Sequence, residues 1–493
     1  MRASRLLAVL ALAAAGADPG APAGPVVRDA FGRDVSVRGI TLVDWEGEIA
    51  NPAIRFVVSP PAGMAFPVKA TLSAKEPRLY FDLPCKVGAE GPTKDLAFKS
   101  KDDRLSFLLS IWPDRDGEDE THAFGISFRD AKGKTALAAI PVRVVDQDKP
   151  AEPKFRIHVD YSQDRTDFFK DESSRKVVEQ AAADWAFFLD DLGTDAVPEG
   201  AEETWIWSAE GFKKGGVVKN AAAYTGYRLY AYGIHTRDLR SGGEPSREGQ
   251  PQASNGKALP FKRSGGLEIE TAGNFNAIGW RKSLDAAEWW KATNLREVQN
   301  DLYSISRHEM GHAFFFNPNN KAFGDFKRKG KIAEPRVRAY QGADPKIDKH
   351  DHLDGAVDRA SRKGAYGYEY FGDVPRCRWI VTKLDLLCVA AMGYRLRDTS
   401  AFRPLSLEGA APPGAKANAP YRAALRASGG IPALCFEISS GALPPGLSLD
   451  SFSGEISGTP GQAGESEFAV RVRDAGEPAL EALARFRIRV DAP

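Results

Sequence analysis

The stretch Asp301-Leu-Tyr-Ser-Ile-Ser-Arg-His-Glu-Met-Gly-His-Ala-Phe-Phe-Phe316 restricts this chain more than any other part of it, because it contains His308-Glu309-x-x-His312. Two histidines four apart lie one above the other on a helix, so both imidazoles can reach one metal ion from a rigid support. Zinc is the usual ion for such a pair. Glu309, beside the first ligand, points near the metal without joining it and is placed to take a proton from metal-activated water as that water attacks a carbonyl. The chemistry implied is metal-assisted hydrolysis, most often of peptides. A helical pattern is expected from about Asn294, an N-cap with Glu297 three residues on, through Leu295, Val298, Leu302 and Ile305 to the Phe314 to Phe316 cluster. Asn317-Pro318 then stops it. Gly311 costs about 1 kcal/mol against Ala inside a helix, which points to a close approach of another group to the backbone there.

A chain of 493 residues is too long for one ordinary domain, and length alone suggests about three. A net charge of +1, with acids and bases mixed throughout, gives no support for a nucleic-acid partner. At the N-terminus a basic start, an apolar run from Leu6 to Ala15 and Ala15-Gly16-Ala17 before Asp18 read as a secretory signal peptide over residues 1–17. No later run approaches the ~20 apolar residues of a membrane span, so an exported, secreted or periplasmic protein is expected. Cys85, Cys377, Cys388 and Cys435 are too few and too scattered for a disulfide framework.

Three bodies follow the leader. Residues 26–150 read as an antiparallel β-sandwich, with strands at Val35-Ser-Val, Ala53 to Val58, Leu79 to Leu83, Leu105 to Trp112 and Ile140 to Val145 between Gly, Pro and Asp turns. Within it Asp114-Arg-Asp-Gly-Glu-Asp-Glu120 clusters carboxylates around a glycine, as a calcium loop does, although the EF-hand spacing is incomplete and a solvated acidic turn is the plainer reading. Gln147 to Pro153 is a polar, proline-bearing linker. Residues 154–400 read as α/β (α+β): a strand at Phe155 to Tyr161, a helix from Glu172 to Leu189, and strands at Tyr227 to Ile234 and Gly266 to Thr271 before the histidine helix. Ser241 to Gly265 reads as a Gly/Ser/Pro-rich loop and Ala272 to Trp280 as a strand that an extended peptide could pair with. Residues 404–493 change character, with Gly and Pro at turns between short alternating strands, which argues for a small β-sandwich.

A catalytic zinc keeps one position for water and so needs a third protein ligand. Glu334 precedes Pro335 in a stretch that reads as loop, a weak place for a helical ligand. His122 belongs to the first sandwich, and His158 and His235 lie on strands well before the motif. That leaves His350 and His352, in Asp348-Lys-His-Asp-His-Leu-Asp-Gly355, with Asp351 between them. Two apart on an extended segment, both rings point the same way, and local sequence does not separate them. Downstream, Tyr366, Tyr368 and Tyr370 are each able to donate a hydrogen bond to an oxyanion.

The order strand, long helix, strands, HExxH helix, together with the closing helix Thr382-Lys-Leu-Asp-Leu-Leu-Cys-Val-Ala-Ala-Met-Gly-Tyr394, resembles the metzincin-like peptidases over about Phe155 to Arg397. The compact form HExxHxxGxxH fails, since Phe315 and Pro318 stand where the Gly and third His belong. The chain looks like the leishmanolysin-type members, in which an insertion separates HExxH from its third His. That resemblance, with the turn-like Leu353-Asp354-Gly355, implies His352 as the third zinc ligand beside His308 and His312. One departure is that Gly364 to Gly372 holds no methionine where the family places its methionine turn. Ala442 to Pro460, followed by Phe468 to Asp474, resembles immunoglobulin-like, cadherin-like modules of exported bacterial proteins. The expectation is a zinc metallopeptidase acting on protein or peptide, with Glu309 as general base, flanked by two β modules. The alternative is a non-catalytic secreted or surface adhesion protein whose peptidase domain has decayed.

Overall fold

The computed structural model describes residues 25–76, 78–81, 93–149, 153–190, 194–205, 216–235, 242–245, 262–271, 279–284, 300–367, 378–408 and 411–493. The expected leader over 1–17, Cys85, Cys377, Tyr368, Tyr370, Asn294 and most of the Ala272 to Trp280 stretch lie outside them.

Alternation of buried and half-exposed residues, as in Ile54–Ser59, builds the first module from two facing sheets. One runs Val26–Arg28, Ile54–Ser59, Leu105–Ile111, Leu79–Phe81; the other Ile40–Asp44, Thr135–Asp146, Glu120–Arg129, Val68–Ala74, Thr93–Phe98. Phe124 meets Phe81 and Phe107 edge to face across the core, with ring centroids 5.3 and 5.8 Å apart. Two expectations need correction here. The sandwich is not wholly antiparallel, since Ile40–Asp44 pairs in parallel with Thr135–Asp146. Val35-Ser-Val is no strand: Asp34 bridges to Arg28 and residues 36–38 form a turn, fixed by Ser36 N–H on the Asp34 carboxylate.

The central body is built on strands β1 (Ile157–Asp160), β2 (Tyr227–Ile234), β3 (Gly242–Pro245) and β4 (Ser264–Glu270), with helix α1 (Glu172–Phe187) following β1. The sheet order is β1-β2-β4-β3; β1, β2 and β4 run parallel and β3 lies antiparallel on the edge. Every residue of β2 and β4 is buried, as parallel strands covered on both faces require. Leu229, Ala231, Leu267 and Ile269 join the main core with Val177, Val178, Ala181 and Trp185 of α1, while Tyr230, Tyr232 and Ile234 pack separately. Edge strand β3 falls where a loop was expected. Gly242 and Gly243 look like loop by composition, yet a Cβ on Gly243 would strike the Glu309 carbonyl, so the missing side chain is what lets this strand reach the next helix.

That helix, α2 (Leu302–Phe314), is shorter than its apolar pattern suggested. Asn300–Asp301 pairs as a strand with Trp280–Arg281, and Asp301 caps the helix by accepting from the Ser304 N–H at 3.1 Å. Arg378 in turn grips Asp301 through two nitrogens at 2.8 and 2.6 Å. Every residue of α2 except His312 is buried. Helices α3 (Lys321–Lys329), α4 (Pro335–Gln341) and α5 (Lys383–Ala391) complete the body.

The first module does not stand apart. Trp45, Ile49, Ala50, Tyr80 and Trp112 belong to the central core, and Arg307 on the back of α2, itself fully buried, donates to the Glu48 carbonyl at 2.9 Å. The last module has sheets of order Ala415–Lys416, Glu481–Asp491, Gly464–Arg473, Cys435–Gly441 and Tyr421–Ala424, Glu455–Gly458, Leu447–Leu449 around Ile456, Val470, Val472 and Ile488. Cys388 and Cys435 are free and buried. Among the described residues, no helix is long and apolar enough to cross a membrane.

Candidate metal centre

The spacing of His308 and His312 places both on one face of α2, and the chain after α3 and α4 returns His352 to them. The three rings form a nearly equilateral triangle, with centroids 5.1, 5.2 and 5.1 Å apart, and their nitrogens lie within 4.8 Å of one another. His308 and His352 are each 3% exposed. His350 is exposed, its ring 6.2 Å from that of His352. The segment is therefore not extended, and the two rings do not point the same way. Asp348 accepts from the backbone N–H groups of His350 and His352 at 2.8 and 2.9 Å, and Asp351 takes a left-handed φ of 70°, so the chain turns sharply and only one of the two rings faces inward. Asp351 instead pairs with Lys327 at 2.6 Å, and Glu334 caps α4 through the Val337 N–H at 3.0 Å.

The outer nitrogens settle which inner ones carry lone pairs. His312 Nδ1 lies 2.8 Å from the Phe316 carbonyl, which can only accept, so Nδ1 holds the proton. His352 Nδ1 faces the Asp348 carboxylate at 3.3 Å in the same way. The two Nε2 atoms then confront each other, lone pair to lone pair, at 3.2 Å. Two nitrogens bound tetrahedrally to zinc at about 2.0–2.1 Å stand about 3.3 Å apart, so this donor set fits that ion. Burial, and then the neighbouring His312, hold His308 well below the usual imidazole range and His352 down at about 4; burial also lowers His312. All three stay neutral near pH 7, as ligands must.

Glu309 is 6% exposed, and among the described residues nothing donates a hydrogen bond to its carboxylate. Burial, with the charge of Glu268 on β4, pushes its pKa well above the carboxylate range. Glu268 is itself 1% exposed and accepts from the Tyr232 hydroxyl.

Tyr366 takes a different part from the one its hydroxyl suggested. The hydroxyl donates to the His308 carbonyl at 2.7 Å, and the ring stacks on the His308 imidazole (4.8 Å, 10°) and on Phe316 (4.1 Å, 15°). It forms the floor beneath the histidines in a segment without methionine. Its ring is also the group that comes close to Gly311, where a Cβ would approach Cε2 to 2.5 Å. Gly311→Ala should therefore cost stability by about 1–3 kcal/mol through overpacking, against the gain in helix propensity. Denaturant unfolding of the metal-free protein measures this, and an unchanged or raised midpoint refutes the contact. Nothing in the sequence marked Tyr366 as a floor, and Glu268 carried no motif at all; Asp348 was visible only as one acid in a run of polar residues.

The acidic segment Asp114 to Glu120 lies where the first module meets the central body, with Arg115 pairing to Asp184 of α1 at 2.8 Å. Carboxylate oxygens of Asp44, Asp114 and Asp146 lie within 4.8 Å of one another, and Arg78, 5% exposed, reaches Asp114 at 2.6 Å, Asp44 at 3.3 Å and Glu120. The cluster thus contains a cation of its own.

Residues 404–490 match the family model described as "Putative Ig domain", which covers the last module. No curated protein matches the chain. Among solved structures, a "putative alpha-galactosidase" from Bacteroides fragilis NCTC 9343 is 23% identical over 18% of this chain and 18% of its own, with a TM-score of 0.15. The N-terminal domain of PorA is 14% identical over 24% of this chain and 95% of its own (TM-score 0.17), and protocadherin gamma B2 cadherin domains 3–6 are 10% identical over 95% and 78% (TM-score 0.16). This chain thus spans under a fifth of that first enzyme's length, and scores of this size carry no inference for it.

Proposed function

We propose that this chain is an exported zinc-dependent peptidase with His308, His312 and His352 as ligands and Glu309 as general base. The observation that carries the reading is the approach of His312 Nε2 to His352 Nε2 at 3.2 Å while each Nδ1 faces an acceptor, a contact that is repulsive between neutral rings unless a cation joins them. When bound, zinc lowers the pKa of a coordinated water to about 7 and draws charge from a carbonyl. The protein's own share is to fix the three imidazoles through Phe316, Asp348 and Tyr366 and to carry Glu309 on the same buried helix, one residue after His308. Glu309 is the group that would take a proton from the attacking water at its carboxylate and return it to a leaving amine. Among the described residues edge strand β3, packed against α2, pairs on one side only, and an extended peptide could lie along the other.

Metal analysis of the purified full chain, before and after chelation, tests the reading. About one zinc per chain is expected, with hydrolysis of an unfolded protein lost on chelation and restored by zinc. Absence of tightly bound metal would favour the adhesive alternative, in which the Ig-like module and the first sandwich do the binding.

A further inference from the structure

We propose that Lys363, at the tip of the hairpin that carries His352, and Glu477, which grips that tip from the Ig-like module, are positioning residues for His352. The proposal rests on the zinc-site reading. His352 and Tyr366 stand at the two ends of one hairpin. Its rungs are Leu353 N–H to the Tyr366 carbonyl (2.9 Å), Ala365 N–H to Ala356 (2.8 Å), the Val357–Gly364 bridge, and Asp358 N–H to Lys363 (2.7 Å). Fully buried Asp358 stiffens the tip, accepting from the Ala360 and Ser361 N–H groups at 3.1 and 2.8 Å, and ties it to α5 through the Leu384 N–H at 2.9 Å.

Both flanking modules hold that tip. From the first sandwich, the Ala53 N–H donates to the Ala360 carbonyl at 2.9 Å, and the Lys363 ammonium, on a residue only 2% exposed, sits 3.6 Å from the Trp112 ring centroid and 4.6 Å from that of Tyr80. From the Ig-like module, the Glu477 carbonyl accepts from Arg359 Nε at 2.6 Å, and one carboxylate oxygen takes Arg362 at 2.6 Å. Its other oxygen takes Arg55 of the first sandwich at 2.5 Å, so one carboxylate joins all three bodies. At the site end there is no slack: Gly367 has a φ of 86°, and a Cβ there would run into the His352 imidazole. A shift of the tip therefore moves the third ligand, and a position error of this kind is what outer partners of metal ligands prevent.

The test is the zinc affinity of the full chain, by competition with a chelator and with zinc alone as probe. Lys363→Met should weaken zinc by roughly ten-fold, the low end of what outer partners of a ligand cost, and Lys363→Arg, which keeps a cation over the rings, should restore it. Glu477→Gln should weaken it in the same direction. In a His352→Ala background neither change should have further effect, because both act through that imidazole. Parent-like affinity of both variants, or an equal loss in the His352→Ala background, overturns the proposal. If Lys363→Met does not fold, the half-exposed Glu477→Gln carries the same comparison. A parent chain that binds no zinc, or a His308→Ala variant that binds it normally, refutes the zinc site itself and is a separate outcome.

Discussion

Glu309→Gln should keep its zinc and lose turnover by about a hundred- to ten-thousand-fold, the share that a positioned acid–base group contributes. The amide fills the same space on α2, so the three imidazoles and the Tyr366 floor are untouched. It cannot accept a proton. The variant also carries a stability signature of opposite sign to ordinary core damage. Burial first, and the Glu268 charge second, raise the folded pKa of Glu309 above its unfolded value. Such a carboxyl is accommodated at low pH, and stability is lost as pH rises from the unfolded towards the folded value. The metal-free Gln variant should therefore be at least as stable as the parent at neutral pH and less sensitive to rising pH. Measuring zinc content, hydrolysis of an unfolded protein and thermal midpoints on one preparation covers all of this. Retained hydrolysis would remove Glu309 from the chemistry.

The second large effect is expected at His352. Replacement by Ala removes one of three nitrogens and leaves the lone pair of His312 Nε2 without its counterpart. Zinc affinity should fall by more than the roughly 10- to 100-fold typical of losing an outer partner, the loss expected for Asp348→Asn. His350→Ala, at an exposed position on the outside of the turn, should bind as the parent does. If His350→Ala loses zinc while His352→Ala keeps it, the third ligand is assigned to the wrong residue. If neither matters, the ligand lies elsewhere and the comparison with leishmanolysin-type enzymes falls with it.

Local chemistry alone determined a good deal. The i, i+4 histidines, the apolar face of α1, the strands around Leu229 and Ile269, and the closing helix capped by Thr382 are set by periodicity and capping, which act over a few residues and can be read there. The Gly/Pro turn pattern of the last module is equally local, and residues 404–490 match an Ig-type family model.

Tertiary structure decided what depends on distant partners. Composition read the glycines of β3 as loop, because a bare backbone is valued only where another backbone, here that of Glu309, approaches it. An extended geometry was assumed for His350 and His352, whereas the Asp348 turn, stabilised by two backbone N–H groups and left-handed Asp351, sends one ring inward and the other to solvent. The floor under the histidines comes from Tyr366, and its stacking needs Gly311 on a helix more than fifty residues earlier. A linker over Gln147 to Pro153 suggested separable bodies, but Trp45, Ile49 and Trp112 share the central core and Glu477 reaches across from the last module. Sequence fixes what each segment prefers by itself; burial and long-range pairing decide which preferences are met, since a buried charge or bare backbone is stable only beside the group that satisfies it.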